Sequence, residues 1–167
     1  GTGGDASGSL NLSTGAALLT AACGVGVVKH GNRSVSSRCG SADVLECLGL
    51  GLPLDEQSAG RCFSETGFTF LFAPHYHPAM KAVAPIRQAL GVRTIFNILG
   101  PLTNPAQPPY HVLGAFDLAT ARLMAAIERV TADPALHTRD LGGQATTAQV
   151  TDAVCALLQG EALRQAA

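Results

Sequence analysis

Two short runs, VGVVK at residues 25–29 and FTFLFA at residues 68–73, read as buried strands, and the segments between them read as helices. This alternation constrains the fold more than any other feature. Strands joined through helices pair in parallel, which predicts an α/β sheet with ligands received at the carboxyl ends of its strands. A third run, YHVLGAF at residues 110–116, reads as another strand. Ser13 or Thr14 is suited to cap a first helix, with apolar positions Ala17, Leu18, Ala21 and Ala22 and an end at Gly24. Ser41 is suited to cap a second, and residues 55–66 read as a third. HYHPAMKAVAPIRQALG reads as helical despite Pro78 and Pro85, whereas TIFNILGPLTNP carries too many breakers for one element.

At 167 residues the chain is long enough to bury a core. Its 47% hydrophobic and 14% charged composition is apolar for a free-standing domain, so its surface expects a further domain or a subunit. A net charge of -1 excludes a general electrostatic grip on nucleic acid, and any anion must be held locally. The most apolar run, residues 16–28, is interrupted by Thr20 and two glycines and is too short to cross a bilayer, so no membrane partner is expected. Cys23, Cys39, Cys47, Cys62 and Cys155 form no CxxC pair or zinc spacing, which predicts reduced thiols and a cytoplasmic location.

Two loops carry the chemistry. GTGGD at residues 1–5 offers main-chain N–H groups just before a helix, with Asn11, Ser13 and Thr14 adding side-chain donors near its positive end. Alone, such a segment is a tight turn and a cap. The second loop, KHGNRSVSS at residues 29–37, follows a strand directly and sets Lys29, His30, Asn32, Arg33, Ser34, Ser36 and Ser37 together. Lys29 and Arg33 are suited to neutralise a diphosphate, and the hydroxyls to hydrogen-bond it. Two anion loops at one sheet edge point to a polyphosphate ligand.

GTGGD, NLSTGAALL, KHGNRSVSS, GSADVLE, LFAPHYHPAMK and VRTIFNILGPLTNPA, in this order, resemble the anthranilate phosphoribosyltransferases, members of the nucleoside-phosphorylase-like phosphoribosyltransferases. The resemblance implies phosphoribosyl transfer from phosphoribosyl pyrophosphate to anthranilate with Mg2+, in tryptophan biosynthesis, by a protein that is typically a homodimer. It implies a first pyrophosphate loop of Gly1, Gly4, Asp5, Ser9, Asn11, Leu12, Ser13 and Thr14, with the Ser13 hydroxyl also approaching Mg2+. The second loop would run from Lys29 through His30, Gly31, Asn32, Arg33, Ser34, Ser36 and Ser37, with Ser41 beyond it. Gly1, Asn32 and Arg87 match anthranilate contacts, and His30, His77 and Pro101 match positions lining the anthranilate channel. An aromatic amine is nucleophilic when neutral, so the catalytic load falls on positioning and on stabilising the departing pyrophosphate.

The resemblance also sets differences. The family carries an N-terminal helical bundle ahead of GTGGD, so the expected fold is a partial nucleoside-phosphorylase/phosphoribosyltransferase-like α/β domain with a mainly parallel sheet, the N-terminal helical domain absent. The isolated chain is then expected to be poorly active. Cys39 stands where the family usually has serine. The adjacent Asp-Glu pair by which the family holds Mg2+ has no counterpart, because Asp55-Glu56 opens a helix elsewhere. From about Ala125 the sequence, with its DLGG segment, resembles the C-terminus of isopropylmalate and tartrate dehydrogenases. The expected division is therefore residues 1–124, the transferase α/β part, and residues 125–167, the tail. A catalytically inert phosphate-binding remnant, or a fusion product, is the alternative. A pyrimidine-nucleoside phosphorylase of the same superfamily typically has KMSGR where this chain has KHGNR.

Overall fold

The computed structural model describes residues 10–33, 39–90 and 96–165, with the side chains of residues 79, 81, 82, 84, 87, 88, 96, 97 and 161–165 excepted. The chain divides into two compact units, Gly1–Gly114 and Ala115–Ala167.

The first unit opens with α1 (Leu12–Ala22). Its cap is Asn11, ahead of the serine and threonine expected: the Asn11 carboxamide oxygen accepts from the Thr14 amide at 3.1 Å and from the Thr14 hydroxyl at 2.8 Å. Asn11 leads because its short amide reaches the exposed amides of the first turn. Strand β1 (Val27–Gly31) begins two residues later than the pattern suggests. Val25 is exposed, and Gly26 lies so close to the Phe63 ring that an added Cβ would come within 2.9 Å of it.

Helix α2 (Ser41–Cys47) is capped from Gly40, with the Asp43 carboxylate accepting from the Gly40 amide at 2.7 Å, so Ser41 is its first residue rather than its cap. Helix α3 (Glu56–Thr66) runs between an Asp55 cap, which accepts from the Ser58 amide at 2.7 Å, and Gly67 in the left-handed region at φ 69°. Strand β2 (Phe68–Phe72) follows at once and pairs with β1 in parallel, Val27 against Phe68 and Gly31 against Phe72. Ala42, Leu45, Phe68 and Phe70 form the buried core, backed by Ala17, Leu18 and Ala21 of α1.

Beyond β2 come α4 (Ala73–Tyr76), α5 (Pro78–Leu90) and α6 (Phe96–Leu102), the last two accommodating Pro85 and Pro101. The third strand expected at residues 110–116 does not form. Tyr110 and Val112 are almost wholly exposed, and strand-like composition without a paired neighbour does not hold extended backbone in a sheet. Among the described residues the sheet therefore has two strands.

The second unit is a helical pair. Helix α7 (Leu118–Thr131) starts at an Asp117 cap, runs unbroken through residues 124 and 125, and buries Met124, Ala126 and Val130. Helix α8 (Thr147–Gln165) starts with a reciprocal cap, the Thr146 amide donating to the Gln149 carboxamide at 2.8 Å and the Gln149 amide to the Thr146 hydroxyl at 3.3 Å. The DLGG segment between them makes a tight turn ending at Gly142, φ 81°.

Candidate functional site

The carboxyl end of β1 gathers the described part of the site. Lys29 and His30 are its third and fourth residues, and the Lys29 ammonium donates to the Ser13 hydroxyl in the first turn of α1 at 2.7 Å. The basic loop and the helix N-terminus that follows the glycine loop thus meet through one hydrogen bond. Burial lowers the Lys29 pKa, so this cation lacks part of its hydration and gains from an anion beside it. The positive end of the α1 dipole favours the same sign of charge.

Gly31 ends the strand where a side chain would be tightly crowded. A Cβ there would sit 3.1 Å from the Phe70 ring and 3.5 Å from the Ser41 Cβ. Asn32 and Arg33 follow: the Asn32 carboxamide oxygen accepts from the Arg33 amide at 2.7 Å, and the Arg33 guanidinium turns to Glu46 and Asp43 on α2. Thr14 faces inward, fully buried, with its hydroxyl taken by Asn11, so this pair builds the helix start, while Leu12 is exposed.

On the other side of β1 stands a histidine pair. The Nε2 atoms of His30 and His77 are 3.2 Å apart, the rings edge-on at a centroid distance of 5.1 Å, and the Thr103 hydroxyl lies 3.4 Å from His77 Nε2. One of the two imidazoles must therefore be a neutral acceptor. Burial lowers the His30 pKa to about 4, with His77 and His111 adding to the shift and a hydrogen bond with the Gly100 backbone opposing it. Pro101 sits next to that backbone, in the last turn of α6.

The His30 shift has a measurable consequence. Between pH 6.5 and about 4 the unfolded chain binds a proton at this position that the native ring does not, so stability rises with pH across that window and is level above it. Allowing for the ring's partial exposure, urea unfolding is expected to show a loss of about 1–2 kcal/mol on going from pH 7 to pH 4.5, and His30→Asn to remove most of that slope.

Sequence reasoning passed over three residues here. Asn104 is buried, donates to the Val28 carbonyl at 3.1 Å and accepts from the Ala106 amide at 3.0 Å, pinning the segment after α6 to β1. His111 approaches His30, and its buried Nε2 has no hydrogen-bond partner. Glu46 holds Arg33. Of the expected site residues, Gly1, Gly4, Asp5, Ser9, Ser34, Ser36 and Ser37 lie outside the described residues, as does the side chain of Arg87, whose backbone is in α5.

A Mg2+ site needs several oxygen ligands, usually carboxylates together with substrate phosphates. The Ser13 hydroxyl is hydrogen-bonded by a cation, and among the described residues no group of three or more His, Cys, Asp or Glu side chains is placed to hold a metal. These residues do not form such a site by themselves. Among the described residues no helix is long and apolar enough to cross a membrane.

Comparison with known proteins follows the same lines. The anthranilate phosphoribosyltransferase of Chlorobium phaeovibrioides is 57% identical over 125 residues, 75% of this chain and 36% of the relative. That of Chloroflexus aggregans is 47% identical over 167 residues, 99% of this chain and 49% of the relative. The chain thus spans between about a third and a half of the length of these curated relatives. Among solved structures, the anthranilate phosphoribosyltransferase of Thermus thermophilus superposes with a TM-score of 0.70 at 57% identity, over 74% of this chain and 38% of that one. The Saccharomyces cerevisiae enzyme in complex with phosphoribosyl pyrophosphate and Mg2+ gives 0.69 at 32% identity, over 77% and 36%. A family profile, described as the glycosyl transferase family, a/b domain, matches residues 1–167 and so takes in residues 125–167, for which a dehydrogenase-like tail was expected. With a family match running the length of the sequence, the chain belongs to the glycosyl transferase family as part of its α/β domain.

Proposed function

We propose that this chain is the phosphoribosyl-pyrophosphate-binding part of an anthranilate phosphoribosyltransferase. The observation that carries the reading is the 2.7 Å contact of Lys29 with Ser13, which sets a partly desolvated cation against the N-terminus of α1. In this reading the loops of residues 1–14 and 29–37, with Ser41, receive the diphosphate, and Mg2+ arrives with the ligand. Asn32, Arg87 and Pro101 face anthranilate together with Gly1 and the His30–His77 pair. As the anomeric C–O bond breaks, the electron pair leaves with pyrophosphate, and Lys29 and the α1 amides stabilise the charge that collects there. The anthranilate nitrogen then forms the new bond to the ribose carbon and gives up its proton to water or to the released pyrophosphate.

The names of the relatives and the ligands in the yeast structure support this reading. Calorimetric titration of the chain with phosphoribosyl pyrophosphate in the presence of Mg2+ tests it. Saturable binding is expected, and its absence from a chain shown to be folded would overturn the reading.

A further inference from the structure

Arg33 is the last described residue before the serines of the second loop, and a cation there has two uses. It contacts the diphosphate itself, or it holds the loop that does. Its surroundings distinguish these uses. The guanidinium donates to both carboxylate oxygens of Glu46 and, at 3.5 Å, to Asp43 on the preceding turn of α2. Its Cζ lies 5.7 Å from the centroid of Phe72, the last residue of β2. The planar fork is thus matched to a carboxylate along its edge and to an aromatic ring on its face, the two contacts that distinguish arginine from lysine.

The same turn of α2 grips the backbone on both sides of the loop. The Ala42 amide donates to the Asn32 carbonyl at 3.3 Å, and Asp43 accepts from the Gly40 amide at 2.7 Å. The Asn32 side chain in turn accepts from the Arg33 amide. We propose that Glu46 is a positioning residue for the phosphate-binding loop, and that Arg33, held by Glu46 and Phe72, clamps the base of that loop instead of binding the anion. This inference rests on the reading of the site as a diphosphate site.

The two uses of Arg33 predict opposite outcomes for Glu46→Gln. If Arg33 were an anion ligand, removing its carboxylate partner would free it and tighten binding. If it is a clamp, Glu46→Gln loosens the loop and weakens binding despite the lost negative charge. With inorganic pyrophosphate and Mg2+ as the probe, Glu46→Gln, Arg33→Lys and Arg33→Ala are each expected to weaken binding by about three- to tenfold, with the Glu46→Gln/Arg33→Ala double variant no weaker than Arg33→Ala. In the ligand-free chain, amide exchange at Arg33 and Ala42 should accelerate in Glu46→Gln, by about tenfold, while exchange in β2 stays unchanged. Binding by Glu46→Gln as tight as the original chain, near-original binding by Arg33→Lys, or unchanged exchange at Ala42 would each overturn the positioning role. If the exchange result holds but the unsubstituted folded chain binds no pyrophosphate, the clamp stands and the reading of the site as a diphosphate site is what fails.

Discussion

Lys29→Ala is expected to weaken phosphoribosyl pyrophosphate binding by about 2–3 kcal/mol, roughly 30- to 150-fold in Kd, without weakening the fold. Lys29 is the described cation nearest the start of α1, hydrogen-bonded to Ser13, and its burial costs the charged form hydration in the free protein. A diphosphate restores that loss, so the ligand gains a charge-assisted hydrogen bond in a partly dry setting, where such bonds are strongest. In the absence of ligand the same burial opposes folding. Alanine removes the penalty along with the contact, so urea midpoints should be equal or slightly higher than in the original chain. Calorimetry and urea unfolding on the same preparation check both halves. Undiminished binding would remove Lys29 from the site, and a collapse in stability would show it to be structural instead.

Phe70→Ala should cost about 3–5 kcal/mol, a large share of the stability of an ordinary domain. Phe70 is wholly buried at the centre of β2, opposite Lys29 in the parallel register, with Ala42, Leu45 and Phe68 around it. Its ring also meets Gly31, so it sets the path of the backbone on which the second loop begins. Phe70→Leu, which retains most of the apolar volume, should lose much less, on the order of 1–1.5 kcal/mol. Urea unfolding of the three proteins tests this. A loss under about 1 kcal/mol for the alanine variant would mean that the core lies elsewhere.

Local signals carried much of this fold. Asp55 and Gly67 bound α3 because an aspartate cap and a left-handed glycine act within one turn, and β2 falls within one residue of its expected span. The pattern was weaker where a partner decides. Val25 and Gly26 extend the apolar run ahead of β1, yet the strand begins at Val27, opposite Phe68, where β2 itself begins after the Gly67 cap of α3. Residues 110–116 have the composition of a strand and, among the described residues, no strand paired with them, which composition does not reveal. The site divides in the same way. Ser13, Lys29 and His30 lie in motifs that announce anion chemistry locally. Asn104 reaches a carbonyl 76 positions away, and Glu46 reaches Arg33 across 13. Glu46 stands in the plain helical segment GSADVLE, where a carboxylate reads as a solvated side chain until the fold brings the loop to it.

The most direct test of the proposed activity places these 167 residues in the protein length their relatives have. In a chimera, they would replace the corresponding segment of the Chloroflexus aggregans anthranilate phosphoribosyltransferase, which aligns with 99% of this chain. Given phosphoribosyl pyrophosphate and Mg2+, the chimera should consume anthranilate, followed as loss of its fluorescence, and Lys29→Ala in the same background should abolish that loss. A folded chimera that binds phosphoribosyl pyrophosphate and leaves anthranilate unchanged would contradict the proposal.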